Sequence, residues 1–147
     1  MSGAEKQTQI LENCDFQMSI SIREMSRDDT VEALKLIHKV FPNSNVSISY
    51  NDVVLFAEKN SRQLGFIHFT ETKDKVLLKG IGVEDNRRGA GIGTRLMRAA
   101  IKLFANRDKS VYLKTQAENP VVNLYASYGF MLKRFGDIYT LVKRPYN

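Results

Sequence analysis

A glycine-rich turn with two arginines precedes a segment that has the period of a helix. Residues 87–93 read RRGAGIG, and residues 94–104 read TRLMRAAIKLF. Glycines leave the backbone bare, so a ligand can lie directly on it. The first N–H groups of a helix have no internal partner and lie at the positive end of its dipole, which suits a phosphate. With Arg87 and Arg88 adding charge, the turn predicts an anion-binding site; the alternative is that its glycines serve turn geometry alone.

Two familiar nucleotide sites do not fit this turn. A nucleoside triphosphate loop ends in Gly-Lys-Ser or Gly-Lys-Thr, whereas Gly93 is followed by Thr94 and Arg95. A dinucleotide fingerprint needs Gly-x-Gly-x-x-Gly, and counted from Gly89 its last glycine position holds Thr94. The turn therefore calls for a different phosphate ligand.

The charge of the chain favours polyanions in general. Lysine and arginine number 22 against 16 aspartates and glutamates, which gives a formal charge of +6. The basic residues are scattered, and the sequence has no motif that combines aromatic and basic residues for nucleic-acid recognition. We therefore expect no nucleic acid among the partners.

The composition argues against metal, disulfide and membrane roles. The only cysteine, Cys14, stands in a polar segment, and His38 and His68 are far from each other and from clustered carboxylates; we expect no metal. No window reaches the roughly 18 consecutive apolar residues of a membrane span. The first residues also lack a signal-peptide layout. We expect a cytoplasmic protein without a membrane partner.

The elements around the turn read as alternating strands and helices. Residues 1–17 are a polar leader and a candidate for disorder, and residues 18–147 form a single domain. The first helix is predicted to bury four apolar residues near helical spacing: Val31, Leu34, Ile37 and Phe41. The full order is strand, helix, three strands, helix, strand, helix and two strands, which predicts an α/β mixed sheet with helices packed on its faces.

A second segment of interest, ENPVVNLYASYGF, covers residues 118–130. Asn119 is predicted as the N-cap of a helix whose first residue is Pro120. Gly129 stands where a left-handed residue often ends a helix. The segment therefore predicts a short helix that carries Tyr125.

The two segments together resemble the GNAT superfamily of acyl-CoA-dependent N-acetyltransferases. Its signature, Arg/Gln-x-x-Gly-x-Gly/Ala, is matched by Arg88, Gly91 and Gly93. A second family motif, an asparagine followed by a helix that ends in Leu-Tyr-x-x-x-Gly-Phe, is matched by residues 119–130. The order of elements is also similar to the family across residues 18–143.

The resemblance implies a fold and a cofactor. The fold is expected to be a GNAT-like α/β (α+β) mixed sheet of about seven mostly antiparallel strands, with helices on both faces and a splay between the fourth and fifth strands. Acetyl-CoA (coenzyme A) is the expected cofactor, with its pyrophosphate on the glycine-rich turn and its pantetheine arm in the splay. The residues implied to bind it are Ile81, Gly82, Val83, Arg88, Gly89, Ala90, Gly91, Ile92, Gly93, Thr94, Asn119 and Tyr125.

The resemblance also implies that Tyr125 is catalytic. It matches the family tyrosine that lies near the coenzyme sulfur and often serves as general acid, and a departing thiolate benefits from a proton donor. An aromatic residue at helical spacing with Val121 and Tyr128 is also typical of a core position, so that alternative stays open.

The general base is less clear from the sequence. The family commonly places a glutamate or histidine on the strand before the turn, where this chain has Lys79. Glu84, Glu118 and His68 are the other candidates, and each has an ordinary structural alternative. An amine that arrives neutral would need no base.

The predicted function is N-acetyl transfer from acetyl-CoA to a primary amine by direct attack in a ternary complex. The acceptor partner is a small amine or a protein N-terminus, and a homodimer is left open. The alternative is a non-catalytic acyl-CoA-binding module with a GNAT fold.

Overall fold

Seven strands in the described part of the chain form one sheet. The computed structural model describes residues 19–85 and 91–146. The strands are β1 (Ser21–Glu24), β2 (Asp52–Lys59), β3 (Arg62–Glu71), β4 (Lys75–Val83), β5 (Ser110–Gln116), β6 (Met131–Arg134) and β7 (Ile138–Lys143). Within these ranges the sheet order is β1-β2-β3-β4-β5-β7-β6, and all neighbours are antiparallel except β4 and β5. The predicted mixed sheet is confirmed, while the leader and the proposed domain start at residue 18 lie outside the described residues.

Helices cover both faces of the sheet, as predicted. They are α1 (Thr30–Val40), which follows a 3-10 turn at Arg27–Asp29, then α2 (Ile92–Asn106) and α3 (Val121–Ser127). The larger hydrophobic core joins one sheet face to α2 and α3, whereas α1 packs with a smaller cluster on the opposite face. In α2 the predicted apolar stripe is confirmed, with Leu96, Ala100 and Phe104 fully buried.

The buried stripe of α1 differs from the prediction. Its buried residues are Ala33, Leu36 and Ile37, whereas Val31 is 59% exposed and Phe41 is 43% exposed. The observed spacing follows the helix period more closely. The small side chain of Ala33, which is fully buried, lets the helix approach the sheet.

The predicted splay between β4 and β5 is present. The two strands are paired in parallel only from Lys75 opposite Ser110 to Leu77 opposite Tyr112. β4 then continues to Val83 and β5 to Gln116 without pairing to each other. Beyond Leu77 the facing edges of the two strands are therefore separate, and a gap opens through the sheet.

The start and end of α3 follow the predicted signals. Pro120 already has helical dihedral angles (φ −64°, ψ −15°), and the Val121 N–H donates to Asn119 Oδ1 at 3.1 Å. This bond is the one that an asparagine N-cap makes with the second residue of a helix. Gly129 has φ +95°, a conformation that side chains disfavour, and thus ends the helix as predicted.

Candidate active site

A cleft of about 520 Å³ lies where β4, α2 and α3 meet. The end of β4 forms one wall, the first turn of α2 forms the floor, and α3 closes the other side. Seven of the residues predicted to bind the cofactor line it: Ile81, Val83, Gly91, Ile92, Gly93, Thr94 and Tyr125. Segments that are distant in sequence are thus brought to one site by the splay.

The first turn of α2 presents bare backbone to this cleft. Gly91 precedes the helix with φ 78°, and the first helical bond runs from the Arg95 N–H to the Gly91 carbonyl at 3.1 Å. The N–H groups of the three residues between them therefore come before the regular hydrogen bonds of the helix. A Cβ added to Gly93 would meet no atom of the described residues within 4 Å, so these residues leave the space above the turn open. This geometry fits a diphosphate.

A hydrogen bond joins α3 to that turn. The Tyr128 hydroxyl donates to Thr94 Oγ1 at 3.2 Å. The Thr94 hydroxyl keeps its own proton for another acceptor. The bond thus fixes the Thr94 side chain at the floor of the cleft and holds α3 beside it.

Tyr125 lies on the cleft and partly in the core. Its ring packs edge-on against Phe130 with 5.9 Å between the centroids, and it joins the larger core cluster. Among the described residues no hydrogen bond involves its hydroxyl. Burial, with a smaller effect of Tyr128, raises the pKa of Tyr125 above its ordinary value. The phenol therefore stays protonated at neutral pH and is available as a donor.

Two predicted cofactor residues do not line the cleft, and three lie outside the described residues. Asn119 caps α3, which gives it a structural role. Gly82 belongs to the opposite face, where an added Cβ would lie 2.7 Å from Val40 and 2.9 Å from Phe66. Its lack of a side chain is thus explained by the packing of α1. Those outside the described residues are Arg88, Gly89 and Ala90.

Glu84 and Glu118 are poorly suited to act as a general base. Glu84 is 5% exposed and forms ion pairs with Lys39 at 2.7 Å and Arg62 at 3.1 Å. Burial opposes its charge, but these two cations outweigh it and hold the pKa of the carboxyl below its ordinary value. Glu118 is exposed just after β5. Neither carboxylate lines the cleft.

A second cavity, of about 890 Å³, lies on the opposite face of the sheet. Its walls are the end of α1, the loop at residues 41–49, and the adjoining parts of β2, β3 and β4. His68 lies in its wall, 4% exposed, with Nε2 2.9 Å from Asp52 Oδ2. The sequence indicates His68 as a candidate base but gives no sign of its partner Asp52. The available signal is a pair of polar residues two positions apart, His68 and Thr70, at the end of the apolar stretch of β3.

Lys79 is the unpaired residue of a β-bulge between the two sites. His68 is opposite Gly80 and Phe69 is opposite Leu78, so Lys79 has no residue across from it. Bulges of this kind redirect side chains next to functional sites. Lys79 lines the second cavity. It stands on the strand where the resemblance predicts a glutamate or histidine as the base.

Across residues 19–85 and 91–146, no three histidine, cysteine or acidic side chains are grouped as metal ligands would be. Nor does any helix of this part of the chain have the length and apolar character needed to span a bilayer.

Comparison with known proteins identifies a family and a fold. A family model described as an acetyltransferase (GNAT) domain matches residues 51–132. A comparison of the sequence with curated proteins found no match.

Three solved structures illustrate the similarity of fold. The ribosomal-protein-S18-alanine N-acetyltransferase of Escherichia coli has a TM-score of 0.69 at 17% identity, over 84% of this chain and 90% of that one. The PaiA N-acetyltransferase of Thermoplasma acidophilum, in complex with coenzyme A, has a TM-score of 0.67 at 18% identity, over 86% of this chain and 99% of that one. A GNAT family acetyltransferase of Elizabethkingia anophelis with acetyl-CoA bound has a TM-score of 0.70 at 16% identity, over 86% of this chain and 98% of that one.

Proposed function

Since the chain belongs to the GNAT acetyltransferase family, we propose that it is an N-acetyltransferase that transfers an acetyl group from acetyl-CoA to a primary amine. One observation carries the proposal. The part of β4 that does not pair with β5, the open first turn of α2 and Tyr125 all line a single cleft. The strand edge can hold an extended arm, the turn can bind a diphosphate, and the tyrosine can protonate a leaving thiolate.

The first turn of α2 would hold the diphosphate of the cofactor. The N–H groups of Ile92, Gly93 and Thr94 precede the regular helical bonds, and the helix dipole adds positive potential. From Leu78 to Gly82, the edge of β4 that faces β5 does not pair with it, and its backbone groups could bind an extended arm as a neighbouring strand would. When bound, acetyl-CoA supplies the activated acetyl group as a thioester.

Tyr125 would act as the general acid. Its phenol is partly buried in the cleft and stays protonated, because burial raises its pKa. A thiolate that leaves the acetyl group needs a proton, and a donor held within hydrogen-bond reach lowers the barrier to that step. The edge-on contact with Phe130 orients the ring.

A paired measurement tests the proposal. Calorimetry would measure CoA affinity, and a thiol-release assay would measure turnover with acetyl-CoA and a panel of primary amines and peptides. We expect saturable CoA binding together with amine-dependent release of free thiol. Tight CoA binding without release for any acceptor would instead support the non-catalytic binding module. The absence of CoA binding in the folded protein would contradict both functions.

A further inference from the structure

The second cavity has a built polar site on its inner wall. Asp52 is opposite Thr70 across the β2–β3 pair, and His68 lies diagonally from it on the same face. Asp52 accepts hydrogen bonds from the Thr70 hydroxyl at 3.0 Å and from the Ser49 N–H at 3.2 Å. Burial opposes the charge of Asp52, but the bonds from His68, Ser49 and Thr70 hold its pKa below the ordinary value. Asp52 is therefore an anion at neutral pH.

The anionic partner fixes the tautomer of His68. A carboxylate only accepts hydrogen bonds, so the Nε2 atom that faces Asp52 Oδ2 must carry a proton. In the neutral ring the other nitrogen, Nδ1, then has a free lone pair. No described residue donates a hydrogen bond to Nδ1. A buried proton acceptor thus stands in a cavity wall without a protein partner.

This acceptor lies close to the point where the proposed thioester would be presented. His68 is opposite Gly80, which lines the second cavity, and the next residue, Ile81, lines the cofactor cleft on the other face. β4 is unpaired with β5 at this level. The part of β4 that does not pair with β5 therefore borders both sites, one on each face of the sheet.

We infer that His68 is the general base of the reaction, that Asp52 is its positioning residue, and that the cavity takes a small primary amine with an apolar body. This inference rests on the proposed acetyl transfer. His68 would contact the amine directly, whereas Asp52 acts only through the ring of His68.

The proposed transfer makes one bond, breaks one bond and moves protons through His68 and Tyr125. His68 Nδ1 takes a proton from the ammonium form of the amine, and Asp52 stabilises the resulting imidazolium. The neutral nitrogen then forms a bond to the carbonyl carbon, and the carbon–sulfur bond breaks. Tyr125 gives its proton to the departing sulfur, and the second proton that the nitrogen loses returns through water to the Tyr125 phenolate. Exchange with water returns His68 to its starting state.

The walls of the cavity define the class of acceptor. Apolar side chains form much of it, among them Val40, Phe41, Val46 and Phe66, and its volume is in the usual range for small-molecule sites. Of the described charged groups in its lining, the carboxylate of Asp52 is engaged by His68, Ser49 and Thr70, and Lys79 is a cation. A polycationic amine would find no free carboxylate there, so an amine with a single charge and an apolar body fits best.

His68→Gln tests the role of the base. The glutamine amide can still donate to Asp52, so the fold should be kept. We expect kcat with phenethylamine to fall about 100-fold, as for loss of a general base, while CoA affinity stays unchanged. β,β-Difluorophenethylamine is a weaker base, so it reaches the site neutral far more often. With this amine the fall in kcat should be at least about tenfold smaller. His38→Gln, at the other histidine of the chain on the exposed side of α1, is the control and should keep the wild-type rate.

Equal losses with both amines, or a wild-type rate in His68→Gln, would overturn the role of His68. Turnover of spermidine or of a peptide but not of phenethylamine would overturn the acceptor class. If the wild type binds CoA but acetylates no acceptor, the proposed function itself fails, which is a different outcome from either of these.

Nitrogen-15 NMR of the histidine rings tests the geometry without any acceptor. We expect His68 in the neutral state to carry its proton on Nε2, with Nδ1 unprotonated. Asp52→Asn should keep this tautomer, because its amide oxygen can still accept from the Ser49 N–H and from His68 Nε2. Its kcat should nevertheless fall, because the imidazolium loses its anionic partner. The opposite tautomer in the wild type, or a wild-type kcat in Asp52→Asn, would contradict the inference.

Discussion

The two faces of the sheet offer two different kinds of site. On the face covered by α2 and α3, the cleft presents backbone N–H groups and an open turn, with a tyrosine at its side. On the face covered by α1, the cavity presents side chains, a buried histidine and aspartate above an apolar wall. The first kind suits a phosphorylated group and the second suits an amine. In the reaction that we propose, the splay of β4 from β5 would let both sites act together.

Gly93→Glu would break the backbone site while sparing the other face. The substitution places a carboxylate where the diphosphate should rest, and among residues 19–85 and 91–146 no atom lies within 4 Å of the added Cβ. We expect CoA affinity to fall by at least about 100-fold, close to 3 kcal/mol, with little change in melting temperature. Arg98→Gln, an equal change in charge at an exposed position of α2, is the control. Unchanged affinity in a folded Gly93→Glu protein would refute the diphosphate site.

Tyr125→Phe separates chemistry from binding within the cleft. The ring and its contact with Phe130 are kept, and only the hydroxyl is lost. We expect kcat to fall about 100-fold and CoA affinity to stay within about twofold of the wild type. Steady-state kinetics and calorimetry would measure the two quantities. A wild-type kcat would show that the thiolate leaves without this acid.

Gly82→Ala tests which face requires the glycine. The new methyl group would press on Val40 and Phe66, so we expect about 2 kcal/mol of lost stability in denaturant unfolding. Gly80→Ala is the matched variant on the same strand, because its nearest contact would be an ordinary 3.9 Å to Phe66. Equal stability of the two variants would argue that the packing of α1 is not the reason for a glycine at position 82.

Glu84→Gln should show a pH-dependent loss of stability. The folded-state pKa of Glu84 is lowered, so its contribution is full above the ordinary value of about 4.5 and is lost as pH falls through the lower folded value. We expect the variant to be about 1–2 kcal/mol less stable at pH 7, since the cationic partners are largely exposed. Unfolding measured at several pH values should show this difference closing in acid. A constant difference would mean that the charge is not responsible.

The backbone site could be predicted from the sequence because its signals are local. The glycines around Gly91 and Gly93, the cap at Asn119 and the glycine at position 129 each act within a few residues, and the spacing of apolar residues defined the stripe of α2. The splay was expected only through the resemblance to a family. The glycines, the cap and the apolar stripe could be predicted without knowing how distant strands align.

The side-chain site could not be predicted in the same way. Asp52 and His68 meet only because the register of β2 with β3 sets them diagonally on one face. A shift of one residue would send His68 to the other side of the sheet. The bulge at Lys79 and the rotation of the α1 stripe away from Val31 also depend on tertiary packing.

Amide NMR during a CoA titration tests the central claim most directly, because that claim concerns backbone N–H donors at the start of α2. We predict that the amide signals of Gly93 and Thr94 shift the furthest downfield among the residues of α2, as expected for new hydrogen bonds to a diphosphate. Saturation of CoA with these two amides unmoved would contradict the account.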